Sequence, residues 1–137
     1  MDDARVIAEK YFKAIGEGKV EEAVSLFGPG ADFTTPTGPV PAPEGIRQML
    51  GGYAQAFPNN RFEVAHAVSS GEDVVLEGFW IGKHTGPMAL PNGGSVAATG
   101  RSVKIPFATL FRVKAGKIAS HHAYWDMAGF LGQLGLG

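Results

Sequence analysis

The sequence predicts an α+β fold: a cone-shaped, curved sheet of antiparallel and mixed pairing, three N-terminal-half helices packed on its concave face, and a short C-terminal helix. Two observations carry that prediction. Apolar residues recur mostly at helical spacing before residue 57, and at period two beyond it. The later runs are joined by short turn signals of the kind that make antiparallel hairpins. Helices first and a meander of strands second is the order of an α+β domain, and a bent sheet backed by helices encloses a hollow.

The first helix spans Arg5 to Ile15, where Ile7, Ala8, Tyr11, Phe12 and Ile15 form one stripe, Asp2 or Asp3 can cap, and Gly16 stops it. Val20, Ala23, Val24 and Phe27 repeat the pattern and end at Gly28-Pro29-Gly30, which completes a helical hairpin. Ala31 to Thr35 alternates as a short strand. The proline-rich run from Pro36 to Pro43 must be a loop, because proline lacks the N–H that regular structure needs. Pro43 suits a first helical turn, and Ile46, Met49, Leu50, Tyr53 and Phe57 make a third stripe that stops at Pro58. Strands follow over Arg61 to Ser70, Val74 to His84, Ser102 to Lys114 and Lys117 to Trp125, with turns at 71–73 and 115–116. The Gly- and Pro-rich stretch from Thr85 to Gly100 is long enough to be a functional loop or flap. Met127 to Leu134 closes as a short amphipathic helix.

At 137 residues the chain is expected to form one domain, residues 1–137, large enough for a real core. Its formal net charge is −1, with scattered Lys and Arg and no basic stripe, so nucleic acid is not an expected partner. Cysteine is absent, which excludes disulfides, thiolate metal sites and a cysteine nucleophile. An acidic start without an export signal, and no apolar run of membrane-spanning length, predict a cytoplasmic protein with no membrane partner. No serine sits in a triad or elbow spacing, and Gly93-Gly94 lacks the strand, lysine and helix of a phosphate loop.

The chemistry concentrates in the second half. Alternation along the last strand puts Ser120, His122, Tyr124 and Asp126 on one face, so His122 is expected in the cavity and His121 outside it, unless a bulge reverses them. Trp80, Phe107, Phe111, Phe33, Trp125 and Tyr53 are expected to face the cone interior or its rim; ordinary core packing is the alternative for each. His84 ends a strand beside the long loop, where it could bind a carbonyl, orient Asp126, or merely cap loop carbonyls. Asp126 directly precedes a helix and could be its N-cap, although Gly129 leaves the reciprocal capping box unmade. His66 alternates with Phe62 and Val64 and reads as a core or interface histidine. A metal triad of His84, His122 and Asp126 has no short His spacing behind it, so no metal is expected.

The runs Trp80-Ile-Gly-Lys-His-Thr-Gly-Pro87, Thr99-Gly-Arg-Ser-Val103 and Tyr124-Trp-Asp-Met-Ala-Gly-Phe-Leu-Gly-Gln-Leu-Gly135 resemble the SnoaL-like polyketide cyclases of the nuclear transport factor 2-like superfamily. The resemblance implies a cofactor-free enzyme in which one aspartate, here Asp126, is acid and base for an intramolecular aldol ring closure. It also implies that His84 lines the same cavity, although Lys83 stands where threonine is usual. On that reading Asp126 and His84 are catalytic, Trp80, Tyr53, Phe33, Phe107, His122 and Trp125 bind a hydrophobic small molecule, and there is no cofactor. The same fold hosts several activities and plain binding domains, so the alternatives are a non-catalytic small-ligand-binding or association domain, or a hydrolase or dehydratase on the same cone. Outward Val75, Phe79 and Ile81 predict a homodimer through the sheet.

Overall fold

The computed structural model describes residues 4–89 and 93–136. Helix α1 (Ala4–Gly16) buries Ile7, Ala8, Tyr11 and Phe12 on one stripe; the caps expected at Asp2 or Asp3 lie outside the described residues. A turn through Gly18, at φ 73, leads into α2 (Val20–Ser25). That helix is shorter than its apolar pattern suggests. Leu26 O accepts from Ile118 N at 2.8 Å, and Phe27 pairs with Ile118, so sheet pairing takes the chain out of the helix two residues early.

Strand β1 therefore runs over Phe27–Thr35, not from Ala31. It keeps Gly28-Pro29-Gly30 as an irregularity between the pairs Phe27/Ile118 and Asp32/Ser120. The proline-rich loop that follows contains a two-residue strand, β2 (Gly38–Pro39), paired back onto β1. Helix α3 covers Glu44–Ala56, and β3 (Arg61–Ser70), β4 (Asp73–Lys83), β7 (Ser102–Lys114), β8 (Lys117–Trp125) and α4 (Met127–Gln133) follow the expected pattern closely. Between β4 and β7, the long loop carries the small ladder of β5 (Met88–Ala89) with β6 (Ser95–Val96); its residues 90–92 lie outside the described residues.

The main sheet has the order β2-β1-β8-β7-β4-β3, antiparallel throughout except for the parallel β1/β8 pair. Period-two burial is clearest on β7, where Val103, Ile105, Phe107, Thr109, Phe111 and Val113 are all buried and face the helices. A bulge between Val64 and His66 lies opposite Gly78, and a Cβ there would meet Glu63 O at 1.8 Å. Only glycine permits that approach, and the bulge helps bend the sheet. It also turns His66 outward, with a side chain 75% exposed and Nδ1 3.0 Å from Glu77 Oε1, so His66 is a surface residue, not a core one.

Among the described residues, two apolar clusters fill the concave side. The larger joins α1, α2 and the N-terminal part of α3 to the inner sheet face; the smaller joins Ala56, Phe57, Val103 and Ile105 to Phe130 and Leu134 of the C-terminal end. Among the described residues, no helix is long and apolar enough to cross a membrane.

Candidate functional site

Between the helices and the inner sheet face lies a cavity with about 100 Å³ of free volume. One water needs roughly 10–15 Å³ on the same measure, so there is room for more than water. The sheet contributes Phe33, Trp80, Phe107, His121 and Trp125, and the helices contribute Tyr11, Phe12, Met49, Tyr53 and Phe130. Among the described residues, no Asp, Glu, Lys or Arg lines the cavity. The wall is aromatic because strand alternation and the α1 and α3 stripes turn their large side chains to one interior.

Some polar groups in this wall are satisfied within the protein. Trp80 Nε1 donates to Asn60 Oδ1 at 3.1 Å, and Asn60 Nδ2 donates to Phe57 O at 2.8 Å. Thr109 Oγ1 donates to His122 O at 3.3 Å. Others are not: both ring nitrogens of buried His121 lack a partner among the described residues. Burial raises the pKa of Tyr11 and Tyr53, which keeps them phenols. Burial, with a smaller contribution from adjacent His122, drives His121 from 6.5 down to about 3, so its imidazole is neutral. That ring stacks on Phe111 at 4.1 Å and meets Tyr11 edge-on at 5.3 Å.

Of the residues singled out by sequence, Trp80, Tyr53, Phe33, Phe107 and Trp125 line the cavity. His122 does not. The alternation that groups it with Tyr124 and Asp126 holds, but that face is the outer one: His122 Nε2 lies 2.8 Å from Asp32 Oδ2 on a side chain 32% exposed. An irregularity near Ser120 brings both Ile118 and His121 to the inner face, an odd spacing that unbroken alternation forbids.

Asp126 and His84 are not brought together. Asp126 is exposed and caps α4, with Oδ1 accepting from Gly129 N at 2.8 Å. The cap fits so closely that a Cβ on residue 129 would meet Asp126 Oδ2 at 2.3 Å, which explains glycine in place of a capping-box residue. His84 is fully buried behind the wall. Its Nδ1 accepts from Thr99 N at 3.1 Å, its ring stacks on Phe57 at 5.1 Å, and its backbone bonds to Gly100 and Arg101. Phe57 in turn packs on Trp80, so His84 clamps the base of the long loop and is not among the residues that line the cavity.

Sequence reasoning missed Tyr11 and His121 as cavity residues. Tyr11 was indistinguishable from an ordinary member of an apolar helical stripe, and His121 depended on a bulge that no turn residue marks. Among the described residues, no group of three or more His, Asp or Glu side chains could hold a metal ion.

A SnoaL-like domain profile matches residues 8–121, a span that ends before Asp126. No curated protein matches the sequence. Similar solved structures include AclR, a candidate hydroxylase from Streptomyces galilaeus, at 19% identity and TM-score 0.83 over 98% of this chain and 85% of that one. IdmH, a candidate polyketide cyclase from Streptomyces antibioticus, aligns at 22% identity and TM-score 0.80 over 98% and 99% of the two chains. A candidate SnoaL-like polyketide cyclase from Jannaschia sp. CCS1 aligns at 18% identity and TM-score 0.80 over 96% and 90%. A further neighbour from Catenulispora acidiphila carries the ketosteroid isomerase-like fold at TM-score 0.78. With a profile match over most of its length, and a curled sheet and helix-covered concave face that share the ketosteroid isomerase-like fold of its neighbours, the chain belongs to the SnoaL-like domain family.

Proposed function

We propose that this chain takes a flat, largely apolar small molecule into the cone. The observation that carries the reading is the aromatic cavity between Trp80, Trp125, Phe107 and Tyr53, to which no charged side chain among the described residues contributes. Concave, mostly apolar sites with a few polar groups are the usual form of small-molecule sites. Titration with anthraquinone should quench Trp80 and Trp125, and Ala123→Leu, which fills the cavity, should remove the quench. Quenching that survives Ala123→Leu would place the binding elsewhere and refute the reading.

A second reading is that the bound molecule is turned over in a reaction of polyketide-cyclase type. The polar groups left without partners in an otherwise apolar wall favour it, as does the naming of IdmH as a candidate cyclase. In an aldol closure a base removes a proton from carbon next to one carbonyl, the enolate carbon attacks a second carbonyl, and the proton returns to the new alkoxide. The step is redox-neutral. Asp126 is exposed, caps a helix and is not among the residues that line the cavity, so the proton acceptor would be His121. A conjugate acid near 3 makes the free imidazole a weak base, and a developing enolate beside it would raise that value. Turnover that survives His121→Gln but is lost in Asp126→Asn would overturn this assignment. The outer sheet face, with Val75 and Phe79 exposed, further supports a homodimer.

A further inference from the structure

We propose that the ligand enters and leaves the cavity sideways, between α1 and β3, through a gate made of the stacked rings of Phe12 and Phe62. The proposal rests on the ligand-binding reading above and adds the route to that site.

A groove runs along the outside of the molecule between α1 and β3, with Glu9, Lys13 and Gly16 on the helix bank and Arg61 on the strand bank. Phe12 and Phe62 line this groove and also line the cavity, and among the described residues they are the only two shared by both walls. The partition between cavity and groove is therefore one pair of rings, parallel within 5° and with centroids 4.0 Å apart.

That partition is the thinnest part of the enclosure. To pass through the sheet, a ligand would have to break the backbone ladders that join β4, β7 and β8. To pass between Phe12 and Phe62 it needs only side-chain rotation and a small shift of one strand, motions that folded proteins make far faster than they unfold. Phe62 is suited to move. It is only partly buried, and its strand stands at the end of the sheet order, paired with β4 alone. Gly16 lies one helical turn beyond Phe12 on the same bank and carries no side chain, which leaves the space beside the pair open.

The charges on the two banks are met on their own sides. Glu9 lies 3.4 Å from Arg5, and Glu17 lies 3.3 Å from Lys19. Arg61 lies 3.2 Å from Glu63 of its own strand. Opening the seam parts two apolar rings and breaks none of these ion pairs.

The structure supplies a reversible lock for the test. A Cβ placed on residue 16 would stand 4.0 Å from the Cβ of Arg61, within the roughly 3.5–4.5 Å of a disulfide. The chain has no cysteine of its own, so Gly16→Cys with Arg61→Cys can form one staple beside the gate, closed by oxidant and opened by reductant in the same sample. Anthraquinone binding to wild type and to this double variant is followed by stopped-flow tryptophan quenching. Oxidation of the double variant should slow association and dissociation alike by roughly 10-fold or more and leave Kd within about twofold, because a gate alters the path and not the end states. Reduction should restore the wild-type rates. Phe62→Ala, which removes half of the gate, should speed association by roughly 10-fold. If the staple does not close or the double variant fails to fold, Phe62→Ala decides alone. Equal rates with the staple open and closed, a staple that weakens binding without slowing association, or a Phe62→Ala variant that associates no faster would overturn the gate while leaving the cavity as the binding site. Absence of any quench in wild type would instead remove the ligand-binding reading, and the gate with it.

Discussion

His121→Phe should remove most of the acid sensitivity of this fold between pH 7 and 4.5. In the folded protein the imidazole is 3% exposed, surrounded by Tyr11, Phe27, Phe33 and Phe111, with His122 the adjacent titratable group. Its folded pKa of about 3 lies far below the 6.5 of an ordinary histidine. In the unfolded chain the group takes up a proton as pH falls through 6.5, while in the folded chain it does not until about 3. The unfolded state therefore binds more protons in that window, and stability is full above 6.5 and declines as pH falls. Two pH units below 6.5, at about 1.4 kcal/mol each, give a loss of about 3 kcal/mol by pH 4.5. Phenylalanine keeps the stack on Phe111, has nothing to titrate, and should cost less than about 1.5 kcal/mol at pH 7 as a near-isosteric change. Urea unfolding followed by tryptophan fluorescence at both pH values measures the difference. If wild type and His121→Phe lose the same stability on acidification, the imidazole is not held neutral by burial, and the description of the cavity wall fails with it.

Three other perturbations separate structural from functional roles. Asp126→Ala should cost about 1 kcal/mol through loss of the α4 cap, while Asp126→Asn, which still accepts from Gly129 N, should cost only a few tenths; equal losses in a denaturant series would show that capping is not its role. Gly51 and Gly52 lie in the middle of α3 with open space where a Cβ would stand, so Gly51→Ala and Gly52→Ala should each stabilise the protein by about 1 kcal/mol, and a loss from either would contradict the helix as described. Sedimentation at micromolar concentration should find a dimer that Phe79→Glu converts to monomer, since Phe79 and Val75 leave 37% and 40% of their surface on the outer face; a monomeric wild type would refute the pairing.

The sequence by itself determined the order of the elements and the interior faces of the regular ones. Local physics was enough there: β7 buries alternate residues from Val103 to Val113, and α1 buries Ile7, Ala8, Tyr11 and Phe12, because each follows one period without interruption. The aromatic character of the cavity was legible for the same reason, through Trp80, Phe107 and Trp125. What tertiary structure decided were the places where pairing overrides the local pattern. Phe27 left its helical stripe to join a parallel strand, and an irregularity near Ser120 brought His121 inward while His122 met Asp32 on the outer face. Asp126 offered two roles of opposite electrostatic demand, a solvated cap or a desolvated base. Local sequence is the same for both, and the choice depended on where β8 ends relative to the cavity, which only the packed sheet determines.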